Sequence, residues 1–110
     1  MSQLTKKRCI PCEGAVKPFT SSMVSNYKTK LTKKWEVKKN KKISREFIFN
    51  NFKEAIKFVN NVAIISEREG HHPDIHIFYN KVIIELWTHS IGGLSENDFI
   101  IAAKIENIQY

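Results

Sequence analysis

The chain is poor in cysteine, glycine and proline, and it lacks any long apolar run. Only Cys9 and Cys12 are cysteine, which excludes a core stapled by several disulfides. As Cys-Ile-Pro-Cys they would suit a redox centre or half of a zinc site, but no second pair exists and no predicted strand and helix frame them. They are read as free thiols on a short N-terminal arm, residues 1–19. No segment approaches the roughly 20 apolar residues that span a bilayer. Met1 to Arg8 is polar and basic, unlike the apolar centre of a secretory leader, so the expected location is the cytoplasm. With four glycines and three prolines in 110 residues, collagen-like and low-complexity architectures are excluded as well.

Acidic residues are scarce in one half of the chain. Residues 1–60 carry 15 Lys/Arg against 4 Asp/Glu, whereas residues 61–110 carry 3 against 7. Much of the basic excess lies in Lys28 to Lys42, where it would attract phosphate backbones or acidic surfaces. No recognition helix, zinc finger or aromatic-basic RNA motif accompanies it, so specific nucleic-acid binding is not expected and the lysines are read as a solvated face.

What is present is ordinary for one globular domain, with 42% hydrophobic and 26% charged residues. Thr20 to Leu31 is predicted as a helix, capped by Thr20 or Ser21, with Met23, Val24, Tyr27 and Leu31 on one face. Lys34 to Lys39 and Ile43 to Phe49 alternate at the period of strands, and Asn40-Lys41-Lys42 between them suits a hairpin turn. From Asn51 to Glu69 the period is helical, through Phe52, Ala55, Ile56, Val59 and Ala63, and Gly70 stops it. A second hairpin follows, with Ile75 to Tyr79 turning at Asn80-Lys81 into Val82 to His89.

Ser95-Glu96-Asn97-Asp98 reads as a capping box with Asp98 at N3, opening a last helix. Its apolar residues, Phe99 to Ala103 with Ile105 and Ile108, cover more than one stripe, so one face is expected on the sheet and another on a partner copy. Alternating helices and hairpins indicate an α+β fold, a four-stranded antiparallel sheet with three helices on one face.

All four histidines fall within nineteen residues, as His71, His72, His76 and His89. Imidazole gives and takes protons near neutral pH, so several in one cleft suit general acid–base catalysis. Pro73 restricts His72 to extended backbone, and Glu67, Glu69, Asp74 and Asp98 are carboxylates that could orient the rings. Metal ligation is the rival use of such residues. Against it, adjacent His71 and His72 would diverge, and Pro73 breaks any helical spacing between His72 and His76. Gly92-Gly93 lacks the third glycine and the lysine of a phosphate-binding loop, and no serine elbow appears.

The spaced set Glu67-x3-His71-His72-Pro73-x5-Tyr79-x9-His89-x8-Asp98 resembles the signature of the pterin-4a-carbinolamine dehydratases. The likeness extends through Tyr79 to Val82, Trp87 to His89 and Gly93 to Glu96, over one domain from Thr20 to Tyr110. It implies a dehydratase acting on 4a-hydroxytetrahydropterin, with His71, His72 and His89 catalytic and Glu67, Pro73, Asp74, Tyr79, Trp87 and Asp98 in support. It further implies no metal or organic cofactor, homo-oligomeric assembly, and service to an aromatic amino acid hydroxylase. Animal members also act as dimerisation cofactors of a transcription factor. Relative to them, Gly70 stands in place of Asp and Asn97 in place of Arg, as in microbial and plant-type members.

Overall fold

The computed structural model describes residues 3–10 and 17–109, so Cys12 lies outside the described residues. After a single 3₁₀ turn, Gln3–Lys6, the elements are α1 Ser21–Lys28, β1 Glu36–Lys38, β2 Lys42–Ile48, α2 Phe52–Glu69, β3 Asp74–Phe78, β4 Lys81–Leu86 and α3 Glu96–Glu106. The strands form one antiparallel sheet in the order β1-β2-β4-β3. This is the expected α+β architecture, with three helices and two hairpins.

Strand alternation decides which side is dry. Ile43, Arg45 and Phe47 on β2 pair with Leu86, Ile84 and Val82 on β4, and all six are buried beneath the helices. The opposite face carries Glu46, Ile48 and Glu85 in more open positions. Aromatic packing locks α2 to the sheet: the Phe58 ring lies 4.6 Å from Phe47 and 5.1 Å from Phe49.

The hairpin turns follow the sequence closely. Lys39 and Asn40 both have positive φ, which Asn tolerates, and Lys41 N–H closes the turn on Lys38 C=O. In the second hairpin Tyr79, rather than an Asn or Gly, adopts positive φ. Asn80 compensates by clamping the neighbouring chain: its side-chain amide donates to Phe49 C=O, and its own carbonyl accepts from Phe49 N–H.

Three expectations need correction. The buried stripe of α2 is Ala55, Phe58, Val62 and Ile65, while Phe52 and Ala63 face out. The helix is apolar over much of its circumference, and the Phe47 and Phe49 rings select the face bearing Phe58. The second hairpin strand ends at Leu86, and His89 sits in a 3₁₀ turn, His89–Ile91, pinned by the Thr88–Gly93 bridge. Finally, α3 offers no broad apolar face to a partner. Phe99 to Ala103 and Ile105 are all buried within this chain, because α1, α2 and the arm pack around the helix, Phe99 against Phe19 and Tyr27, with Leu4, only 2% exposed, in the same core.

Candidate active site

The site begins at the end of α2. Gly70 takes a left-handed conformation (φ 67°), the cheap choice for a helix C-cap, and it lets His71 N–H return to Ser66 C=O. The chain then leaves as His71-His72-Pro73 across the N-terminal end of β3. From the other side, β4 leads on into Trp87, Thr88 and the turn bearing His89. Antiparallel pairing of β3 with β4, Asp74 opposite Glu85, brings these two loops together.

Between them lies an open cleft of about 770 Å³ lined by Cys9, Ile10, His71, His72, Pro73, Asp74, Trp87 and His89, with Glu69, Gly70, Thr88, Ser90 and Asn97 completing it. The three catalytic candidates therefore share one cavity. Pro73, Asp74 and Trp87 join them there.

Each histidine has a different setting. His71 Nε2 lies 2.7 Å from Asp98 Oδ1, with the carboxylate fully buried. The other oxygen, Oδ2, accepts from Thr88 Oγ1 at 2.8 Å and from Ser95 N–H at 3.0 Å. The latter is the reciprocal contact of the expected capping box, so one carboxylate both caps α3 and orients a ring. Paired with an ionised Asp98, His71 donates from Nε2, and in the neutral ring Nδ1 is then the acceptor. His89 packs on Trp87 with ring centroids 3.9 Å apart, and the Trp87 indole N–H donates to Asp74 Oδ2. His72, on the rim, meets Glu67 Oε2 at 2.5 Å.

Not every expected residue lines the cleft. Glu67 meets His72 outside the cavity, and Asp98 lies behind His71. Tyr79 is at the opposite end of the β3–β4 hairpin, exposed and outside the cavity, because β3 runs away from the His71 loop. His76 pairs with Glu85 at 3.1 Å, also outside it. Among the described residues, no three His, Cys, Asp or Glu side chains converge as a metal-ligand set.

The arm, expected from the sequence only as a carrier of free thiols, is tied to the domain by side chains. Cys9 N–H donates to Glu69 Oε1 at 2.9 Å, and Lys104 Nζ approaches Glu69 Oε2 at 2.7 Å. The Lys104 ammonium holds the Glu69 carboxyl below the usual carboxylate range, against the opposing effect of burial. Lys7 and the Tyr27 hydroxyl both reach Glu96 Oε2, and the Lys7 ammonium likewise depresses the Glu96 carboxyl. No periodicity or motif signals these contacts.

A histidine-lined cleft on an α+β sheet, with a buried carboxylate against one ring, is an arrangement suited to acid–base chemistry in a small enzyme. Residues 17–108 match the family model described as pterin 4 alpha carbinolamine dehydratase. The chain belongs to that family and is a hydro-lyase. It is 43% identical over 109 residues to a protein of Alkaliphilus metalliredigens provisionally named pterin-4-alpha-carbinolamine dehydratase, covering 99% of this chain and 98% of that one. A relative in Nitrosospira multiformis with the same provisional name is 47% identical over 108 residues, covering 98% and 94%. The crystal structure of a transcriptional coactivator/pterin dehydratase from Brucella melitensis superposes with a TM-score of 0.75 at 32% identity, covering 81% of this chain and 95% of that one. Among the described residues, no helix is long and apolar enough to cross a membrane.

Proposed function

We propose that the chain dehydrates 4a-hydroxytetrahydropterin to quinonoid dihydropterin and water, regenerating pterin for an aromatic amino acid hydroxylase. The observation that carries this reading is the convergence of His71, His72 and His89 on one cleft, with His71 held by Asp98. Elimination requires removal of the proton on ring nitrogen N5 and delivery of a proton to the departing 4a hydroxyl. An imidazole held through its Nε2–H by a buried carboxylate, its Nδ1 left to accept a proton, is suited to the first task, and a second imidazole in the same cavity to the other. Trp87 and His89, packed on one another at the cavity wall, bring aromatic surface to a planar ring.

No metal or organic cofactor is assigned a role, since the carbinolamine is already activated for loss of water. The test is turnover of enzymatically generated 4a-hydroxytetrahydropterin, measured above the uncatalysed background. Dehydration should be accelerated and should survive exhaustive chelation. Absence of acceleration, or loss on chelation with recovery by one metal, would overturn the respective claim.

Self-association belongs to the same proposal, but by a different surface from the one expected. Among the described residues β3 is an edge strand with one side unpaired, and Ile77 and Phe78, with Tyr79 beside them, are exposed, features that favour pairing with a second copy. Light scattering should report an oligomer at micromolar concentration, and Ile77→Lys should shift it towards monomer. A wild-type monomer would refute this.

A further inference from the structure

The arm preceding the domain reaches the cleft, and the manner of its attachment is specific. Asn97 is 4% exposed, and its side-chain amide forms a two-way clasp with a single residue 87 positions away. Asn97 Oδ1 accepts from Ile10 N–H at 3.0 Å, and Nδ2 donates to Ile10 C=O at 2.5 Å. This satisfies both backbone groups of Ile10, as a neighbouring strand would. One residue earlier, Cys9 N–H is held by Glu69, itself paired with Lys104. Two consecutive residues of the arm are therefore tied to buried side chains from two different helices.

The clasp leaves the Ile10 side chain 68% exposed while it lines the cavity shared by the three histidines. Burying an apolar side chain is favourable by roughly 25 cal/mol per Å² removed from water, so an isoleucine fixed at a cavity wall gains when a ligand covers it. Ile10, Pro73 and Trp87 give the cleft its apolar and aromatic lining, while the histidines and Asp74 give it polar edges. Such a lining suits a flat heteroaromatic ring with polar groups around its perimeter.

We propose that Ile10 is a substrate-contacting wall of the active site and that Asn97 is the positioning residue that holds it there, so that the arm sets substrate affinity. This rests on the pterin reading above and deepens it. The chemical step belongs to the histidines, so loss of the wall acts on binding rather than on proton transfer. In a hydrophobic pocket even a missing methylene costs about tenfold or more, and Ile10→Ala removes several carbons.

The experiment uses the full chain with Ile10→Ala, Asn97→Ala and Asn97→Asp. It measures kcat and KM for the carbinolamine, together with calorimetric binding of 7,8-dihydrobiopterin, a stable reduced pterin. Ile10→Ala and Asn97→Ala should each raise KM and the dihydrobiopterin Kd by about tenfold, with kcat within about twofold of wild type. Asn97→Asp keeps the acceptor for Ile10 N–H but loses the donor to Ile10 C=O, so it should fall between wild type and Asn97→Ala. Ile10 is exposed, so its variant keeps the test valid if Asn97→Ala fails to fold. Unchanged KM and Kd in Ile10→Ala, beside an active wild type, would overturn the proposal alone. A wild type that neither binds dihydrobiopterin nor accelerates dehydration would remove the pterin reading, and this inference with it.

Discussion

His71→Ala and His89→Ala should each lower kcat by about 10² to 10⁴ while the protein stays folded, the loss expected on removing a general acid or base. Both rings line the cleft, and His71 has a buried carboxylate behind it. His72 sits at the exposed rim with Glu67, so His72→Ala should raise KM as well as lower kcat. His76 pairs with Glu85 outside the cavity, and His76→Ala should change turnover little. Steady-state kinetics on all four variants, with thermal melts to establish folding, check the pattern. Intact activity in His71→Ala and His89→Ala together with its loss in His76→Ala would show that the site has been placed wrongly.

Asp98→Ala should be the most damaging single change outside the histidines, because it acts on stability and chemistry together. The carboxylate accepts from His71, Thr88 and Ser95 in a fully buried position. Its removal deletes the reciprocal half of the α3 capping box and leaves several buried donors short of a partner. Loss of a cap costs about 0.5–2 kcal/mol, and each buried polar group left unsatisfied about 1–3 kcal/mol. A combined loss of roughly 3 kcal/mol or more is expected in denaturant titration. Asp98→Asn is the informative companion. It preserves the shape but replaces an acceptor oxygen with a donor, so it should recover part of the stability and little of the activity, the His71 tautomer no longer being fixed. An Asp98→Asn variant with wild-type kcat would show that the carboxylate does not serve the reaction.

The family departures at Gly70 and Asn97 have structural readings in this chain. Gly70 occupies a left-handed helix cap, with nothing within 4 Å of where a Cβ would stand, so its constraint is backbone conformation rather than space. Asn97 is committed to the arm, a use that a residue read only by its place beside Asp98 does not disclose.

The sequence by itself determined the element order, both hairpins, the α3 capping box and the cluster of histidines, because each is written in residues close together along the chain. Helical and strand periods, a Ser-x-x-Asp cap and a Gly stop act over a few positions, and their physics is local. Proximity of His89 to His71 was also legible, since a hairpin returns the chain to where it started. Only the tertiary structure decided which apolar faces would be covered. The apolar pattern of α3 suits a partner as well as it suits Leu4, whose packing leaves no mark in the sequence, and α2 has two plausible faces until Phe47 and Phe49 select one. That Tyr79 lies away from the cleft and Ile10 lines it has the same reason. The signature residue lies at the far end of a strand, while the unmarked arm residue is brought to the cleft by a clasp spanning 87 positions, a contact whose partners carry no pattern in common until the chain has folded.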